Sequence, residues 1–255
     1  MNFENRLADI ITTTVLMERP FHEDAANASL NEAFDVQDAL IRRLMAPQGG
    51  VAGYKIAWNT PDAMQKKAMP HPGMGRVMKQ LVHQDQANLP ITGFRGLMIE
   101  AEIVAFLERD LDPGQTYARD DLADAVSGVS VGIELLNRYN SPPGVAASAA
   151  ICHNIFNAGA IIGQNRVPLA ELDMERLTTR VSAQGEIVAE GVNMAPQHPL
   201  DALAFLANHF TGRGQVMQAG QLVLCGSHIP LMAVTQPGEV VVSMTQLGSV
   251  SLLAT

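Results

Sequence analysis

The sequence predicts an α+β fold, with N-terminal helices followed by a β-rich body. Three observations carry that prediction. Apolar residues recur at helical spacing through the first 45 positions. From Met98 onward, apolar runs of strand length alternate with turn residues. Those runs are not separated by regular amphipathic helices, which argues against an alternating parallel βαβ architecture.

Residues 2–19 put Phe3, Leu7, Ile10, Ile11 and Val15 on one helical face, with Asn2 as a candidate cap and Pro20 just past the end. A second helix is predicted from Leu30 to Met45, ended by Pro47 and the Gly49-Gly50 pair. Val51–Trp58 reads as a strand. Thr60-Pro61-Asp62 reads as a helix start, since threonine caps well and proline suits the first helical position. Residues 69–76 read as a loop, because two prolines and two glycines disfavour an element interior. Strands follow at Met98–Leu107 and Val126–Tyr139, with a short helix near Asp120–Val126, and again at Ala158–Ile162. Arg180–Ala189 reads as two strands turning at Gln184-Gly185. Pro199–His209 reads as a helix, and Gln221–Cys225, Val240–Met244 and Val250–Leu253 as closing strands. No linker or repeat divides the chain, so the expectation is a single domain over 1–255: a helical part over 1–78 and a β-rich body over 79–255.

Composition excludes several functions. Of 255 residues, 47% are apolar and 17% charged. That charged share is below the usual value of about 25%, which fits a folded chain rather than a disordered one. The 17 Lys+Arg against 26 Asp+Glu give a net charge of −9, which argues against nucleic acid or an anionic membrane as partner. Cys152 and Cys225 are the two cysteines, and neither belongs to a CxxC pair; both read as small buried side chains. The N-terminus has no secretory pattern, and no stretch nears the ~20 apolar residues of a membrane span, so the expectation is a cytoplasmic protein.

Four groups of residues could carry chemistry. Glu100 and Glu102 interrupt an apolar run. On a strand, side chains two apart share a face, and two carboxylates there repel unless a cation lies between them. Hard oxygen ligands suit Mg²⁺ or Mn²⁺; a solvated strand face is the competing reading. Glu134, a lone acid in a second apolar run, could complete a three-carboxylate site or lie at an exposed edge. Glu108, Asp110 and Asp112 lead into a Pro-Gly turn and read as solvent-facing. Lys55 is one of four lysines and sits among apolar residues. It could anchor a carboxylate or move a proton, or simply snorkel to solvent. Gly226-Ser227-His228 follows an apolar strand, and backbone N–H groups at such a turn can bind an oxyanion. His71, His83, His198 and His209 fall in polar or loop contexts and need no function. No P-loop, dinucleotide fingerprint or Gly-x-Ser-x-Gly elbow is present.

These residues, in this order, resemble the hydratase and decarboxylase branch of the fumarylacetoacetate hydrolase superfamily. The resemblance runs nearly end to end. It rests on FDVQDALIRRLM, GYKIAWNTPDAMQKK, IEAEIVAFLERDL, GIELLNRY, the long segment LDALAFLANHFTGRGQVMQAGQLVLCGSHIPLMAV, and LGSVS. It implies a mixed, strongly curved β-sandwich or roll and a divalent metal, Mg²⁺ or Mn²⁺, on Glu100, Glu102 and Glu134. It implies Lys55 beside the substrate carboxylate and active in proton movement. Thr60, Gly226, Ser227 and His228 would lie against the substrate. The implied reaction is hydration or decarboxylation of a small 2-oxo or 2-hydroxydienoate acid. The alternatives are C–C hydrolysis of an acylpyruvate-like diketo acid and a silent relative acting as assembly partner. His22-Glu23 does not match the context of the family hydrolases' His-Glu pair. The resemblance also implies a homo-oligomer, and members of this branch associate with a sister pathway enzyme. The chain departs from the family pattern in several places. Asn137 stands for an aspartate, Tyr139 for an arginine and His153 for an aspartate. Gly73 replaces an acid, and His228 lies where a hydroxyl residue is usual.

Overall fold

The computed structural model describes residues 3–17, 21 and 23–255. Asn2, Pro20 and His22 lie outside the described residues. The helices are α1 (Phe3–Leu16), α2 (Leu30–Leu44), α3 (Pro61–Lys67), α4 (Ala147–Cys152) and α5 (Pro199–Gly212). Ser29 and Glu32 close a reciprocal capping box at the start of α2, satisfying two backbone N–H groups that a helix end otherwise leaves open. The buried face of α2 carries Phe34, Val36, Leu40, Ile41 and Leu44, the helical spacing legible in the sequence.

Two mixed sheets form the body. The larger contains β1 (Val51–Ala57), β2 (Gly73–Met78), β3 (Val82–Gln84), β5 (Leu97–Leu107), β6 (Val126–Asn137), β7 (Asn157–Ile162), β10 (Leu222–Ser227) and β11 (Met232–Ala233). Its order is β2-β1-β10-β5-β6-β7-β3, with β11 also on β5. The smaller contains β4 (Ala87–Leu89), β8 (Thr178–Ala183), β9 (Glu186–Val192), β12 (Gly238–Met244) and β13 (Gly248–Ala254), in the order β4-β13-β12-β8-β9. β1–β10, β3–β7 and β4–β13 pair in parallel; the other pairs are antiparallel. The large sheet curls until β2 approaches β7. The expected α+β architecture with a strongly curved, mixed sheet is thus present.

Strand alternation then divides the apolar residues into two cores. On β5, Ile99, Ala101, Ile103 and Ala105 join the main core, together with α1, α2, α4, α5 and the inner face of the small sheet. Val104 and Phe106 point the other way. With Val77, Ala160, Ile162, Leu222 and Leu224 they form a separate cluster inside the curl. Glu100 and Glu102 share the parity of Val104, so they too face the inside of the curl.

The 69–76 segment corrects the sequence reading: Gly73–Met78 is a strand, not loop. The glycines that argued for a loop serve close packing instead. A Cβ on Gly73 would stand 2.8 Å from Trp58 and from Ile155, and one on Gly75 3.0 Å from Asn154 Oδ1. The short strands β3 and β4 and the helix α4 were not foreseen. Cys152 and Cys225 are buried free thiols, as expected. Among the described residues, no helix is long and apolar enough to cross a membrane.

A cluster of three carboxylates and a buried lysine

Register alone assembles the carboxylates. Glu100 on β5 lies directly opposite Glu134 on β6, and Glu102 lies opposite Gly132, where a Cβ would stand 2.4 Å from Val104. One carboxylate oxygen from each of Glu100, Glu102 and Glu134 falls within 4.8 Å of the others. Glu102 and Glu134 are fully buried, so Glu134 is not an exposed edge residue. Lys55 on β1 reaches the same point with a fully buried side chain, Nζ 3.1 Å from Glu134 Oε1. It does not snorkel to solvent.

Backbone and amide donors fix these side chains. Gly226 N–H donates to Glu102 Oε2 at 2.7 Å, from a bulge where β10 shifts register against β5. Gly226 has φ +107°, and a Cβ there would stand 2.4 Å from the Asn59 amide. The backbone N–H foreseen as an oxyanion donor at this turn is therefore spent on a glutamate. Asn157 Nδ2 donates to Glu134 Oε1 at 2.9 Å. Glu134 Oε2, by contrast, is buried without a hydrogen-bond partner among the described residues.

The electrostatics follow from this crowding. Burial alone would push Lys55 down, but Glu134, Glu100 and Glu102 outweigh it and hold its ammonium above the ordinary lysine value. Burial raises Glu100 to about 7; Lys55 opposes that rise and Glu134 adds to it. Glu102 is driven well above the usual carboxylate range, by burial first and then by Glu134 and Glu100. Three acids against one lysine leave a surplus of negative charge. The donors are all oxygen, and one buried lone pair is unclaimed. That set fits a hard divalent cation such as Mg²⁺ or Mn²⁺.

A cavity of about 160 Å³ opens onto Lys55 and Glu100. Its other walls include Ala57, Trp58, Lys67, Arg138 and Phe156. A larger cavity of about 510 Å³ opens elsewhere, beside Phe106, Ile162 and Leu222 of the inner apolar cluster, and among the described residues no acidic side chain lines it.

Of the other foreseen residues, Thr60 caps α3 through its hydroxyl to Ala63 N–H, and Ser227 Oγ bonds within its own turn to Ile229 O. His228 is not brought to the carboxylates. Its ring turns into the main core and pairs with Thr179 Oγ1 at 2.9 Å, because one step along β10's end reverses the side-chain direction. Burial lowers it to about 4. Glu108, Asp110 and Asp112 are exposed as expected. His209 lies on α5, as the helix over Pro199–His209 predicted, but its surroundings are aromatic rather than polar, with its ring against Phe34 and Phe210. The departing residues Asn137, Tyr139 and His153 line a neighbouring cavity of about 270 Å³, and Asn157 joins that cavity's wall to Glu134. Asn137 Oδ1 accepts from the backbone of Arg95 and Tyr139, so it holds a turn. Sequence reasoning missed Asn157, whose only signal was an amide opening an apolar strand, and the cavity's outer cations Lys67 and Arg138.

No family model matches the chain. Curated relatives do. A 2-keto-4-pentenoate hydratase of Burkholderia vietnamiensis is 26% identical over 201 residues, covering 78% of this chain and 76% of the relative. Among solved structures, 4-oxalocrotonate decarboxylase from Pseudomonas putida G7, complexed with magnesium and adipate, superposes with a TM-score of 0.90. It covers 99% of this chain and 97% of its own, at 24% identity. In sequence the chain is similar to 2-keto-4-pentenoate hydratases, and it shares its fold with the decarboxylase structure. A fumarylpyruvate hydrolase from Pseudomonas aeruginosa, in complex with Mn²⁺ and pyruvate, shares the fold more distantly. Its TM-score is 0.58 at 14% identity, covering 79% of this chain and 88% of the other.

Proposed function

We propose that this chain is a Mg²⁺- or Mn²⁺-dependent hydro-lyase acting on a small 2-oxo or 2-hydroxydienoate acid, as its hydratase relatives are named. One observation carries the reading: three carboxylates converge on one buried point beside a buried lysine, at the floor of a cavity. Glu100, Glu102 and Glu134 would hold the ion. Bound there, the ion supplies Lewis acidity for a 2-oxo acid and its enolate. The chain's own residues do the rest. Gly226 N–H and Asn157 hold two of the carboxylates in place. Lys55, charged in its crowded site, binds the substrate's carboxylate or 2-oxygen and carries the proton needed at the substrate carbon. Trp58 and Phe156 wall the cavity against water.

Decarboxylation of a 2-oxo diacid is the second reading, supported by the close likeness to the decarboxylase structure. We propose one catalytic domain, since a single main core draws on the N-terminal helices and both sheets. We also propose a cytoplasmic homo-oligomer; exposed Ile187, Val188 and Val192 on the edge strand β9 favour covering by another subunit. The test is a panel of 2-hydroxydienoate and 2-oxo acids with Mg²⁺ or Mn²⁺. Loss of the dienol absorbance without CO₂ means hydration; released CO₂ means decarboxylation. No metal-dependent change with any acid would refute the proposal.

A further inference from the structure

The cavity beside the carboxylates is lined by charged groups of both signs. Its floor carries Lys55 and Glu100, and its wall also carries Lys67 and Arg138. Neither of those two cations forms an ion pair with a carboxylate among the described residues. Lys67 Nζ donates to Val145 O at 2.9 Å and lies 5.5 Å from the Trp58 ring. Arg138 donates to Ser141 Oγ at 3.0 Å and to Pro142 O, and its guanidinium lies 5.1 Å over the Phe156 ring. Both side chains are partly buried. Burial and the nearby Arg138 together lower Lys67, so the two cations feel each other across the wall. Aromatic faces and backbone carbonyls hold them without neutralising them, and the acids of the floor are committed to one another and to Lys55.

Charge counting makes this informative. Glu100, Glu102, Glu134 and Lys55 sum to −2, which a divalent cation cancels. A 2-oxo acid then adds −1 from its own carboxylate. Lys67 and Arg138 add +2 to the same cavity. A monoacid leaves one positive charge over; a diacid leaves none. Arg138 also presents a planar fork that suits a carboxylate.

Building on the proposed metal-dependent 2-oxo acid site, we infer that Lys67 and Arg138 bind a second carboxylate, so that the preferred substrate is a 2-oxo dicarboxylic acid. The 2-oxo carboxylate lies at the floor and the distal carboxylate between the two wall cations. Discrimination against a monoacid is strong because the wall cations then stay half-buried without an anion.

The test uses the full-length protein loaded with Mg²⁺ and two non-reacting saturated ligands of equal length, 2-oxoadipate and 2-oxohexanoate, in isothermal titration. The diacid should bind about tenfold or more tighter, and the gap should shrink in high salt. In the Lys67→Met, Arg138→Met double variant, the diacid should lose far more affinity than the monoacid, bringing the ratio close to one. Lys67→Arg should keep most of the preference, and unchanged Mg²⁺ affinity shows that each variant is folded. Equal binding of the two acids by the wild type, or a preference that survives the double variant, overturns the inference while leaving the metal site standing. If neither acid binds in a Mg²⁺-dependent way, the site reading itself fails, and this inference with it.

Discussion

Replacing Lys55 by methionine keeps the side chain's length and removes its charge from a buried place. Nζ lies 3.1 Å from Glu134 Oε1, with both side chains fully buried. At an effective dielectric of about 20, one such pair attracts by about 5 kcal/mol, and Glu100 and Glu102 add to it. Removing one partner of a buried pair typically costs about 3–5 kcal/mol. Here it strands three carboxylates, so the upper end is expected for the metal-free protein. In a chain of this size that corresponds to a fall of about 10 °C in melting temperature. The deficit depends on pH with a definite sign. Glu100 stands at about 7 with Lys55 lowering it, and losing Lys55 raises it further, so its protonation as pH falls removes part of the repulsion. The variant should therefore lose more stability at pH 8 than at pH 6. Mg²⁺ should reverse the effect, because it replaces the missing positive charge. It should also bind the variant more tightly than the wild type, since no ammonium competes for Glu134. Urea unfolding with EDTA and with Mg²⁺, at both pH values, reads all of this. A variant as stable as the wild type in EDTA at pH 8, or one that Mg²⁺ fails to restore, would refute the electrostatic account. Turnover should be lost even where stability is restored.

Other perturbations address separate parts of the site and the fold. Glu102→Gln should weaken Mg²⁺ binding by at least about tenfold and abolish turnover while the melting temperature in EDTA rises, because like-charge repulsion is relieved; isothermal titration and thermal melts read both. Gly226→Ala introduces a Cβ that meets Asn59 at 2.4 Å in a left-handed conformation, so it should displace the N–H from Glu102 and weaken metal binding, measured the same way. Mg²⁺ binding should release protons and lose affinity as pH falls below about 7, where Glu100 takes up a proton; titration in buffers of different ionisation enthalpy detects it. Burial holds His209 at about 3, so the unfolded chain protonates first and folding stability falls as pH drops from about 6.5 toward 3. His209→Leu should remove a part of that acid sensitivity worth roughly a few kcal/mol, seen by denaturation at pH 7 and pH 4.

The helices and long strands were legible because their periodicity reports burial directly. Phe34, Leu40 and Leu44 mark the inner face of α2 as any amphipathic helix would. The parity of Glu100 and Glu102 was equally readable, since two residues apart on a strand always share a face. What placed Glu134 opposite Glu100 was the β5–β6 register, a long-range property that no single run of residues announces. The strand at Gly73–Met78 was hidden because its glycines serve contacts with Trp58 and Ile155, neighbours that only the fold supplies. His228 was misplaced for a related reason: the bulge in β10 between Leu224 and Ser227 resets its direction, and a bulge leaves no signature in a glycine-serine pair. Asn157 reaches Glu134 from a strand start, and Lys67 and Arg138 reach the cavity from the end of a short helix and the turn after a strand. Polar residues at element ends are common enough to carry no warning of function.

The account's central claim is that one divalent cation sits among Glu100, Glu102 and Glu134. The most direct measurement is anomalous scattering from crystals of the wild-type protein soaked in Mn²⁺. The account predicts a single strong peak within coordination distance, about 2.0–2.4 Å, of one oxygen from each of the three carboxylates, with Lys55 displaced from Glu134. An empty cluster, or an ion bound elsewhere while these carboxylates keep their contacts with Lys55, would contradict it.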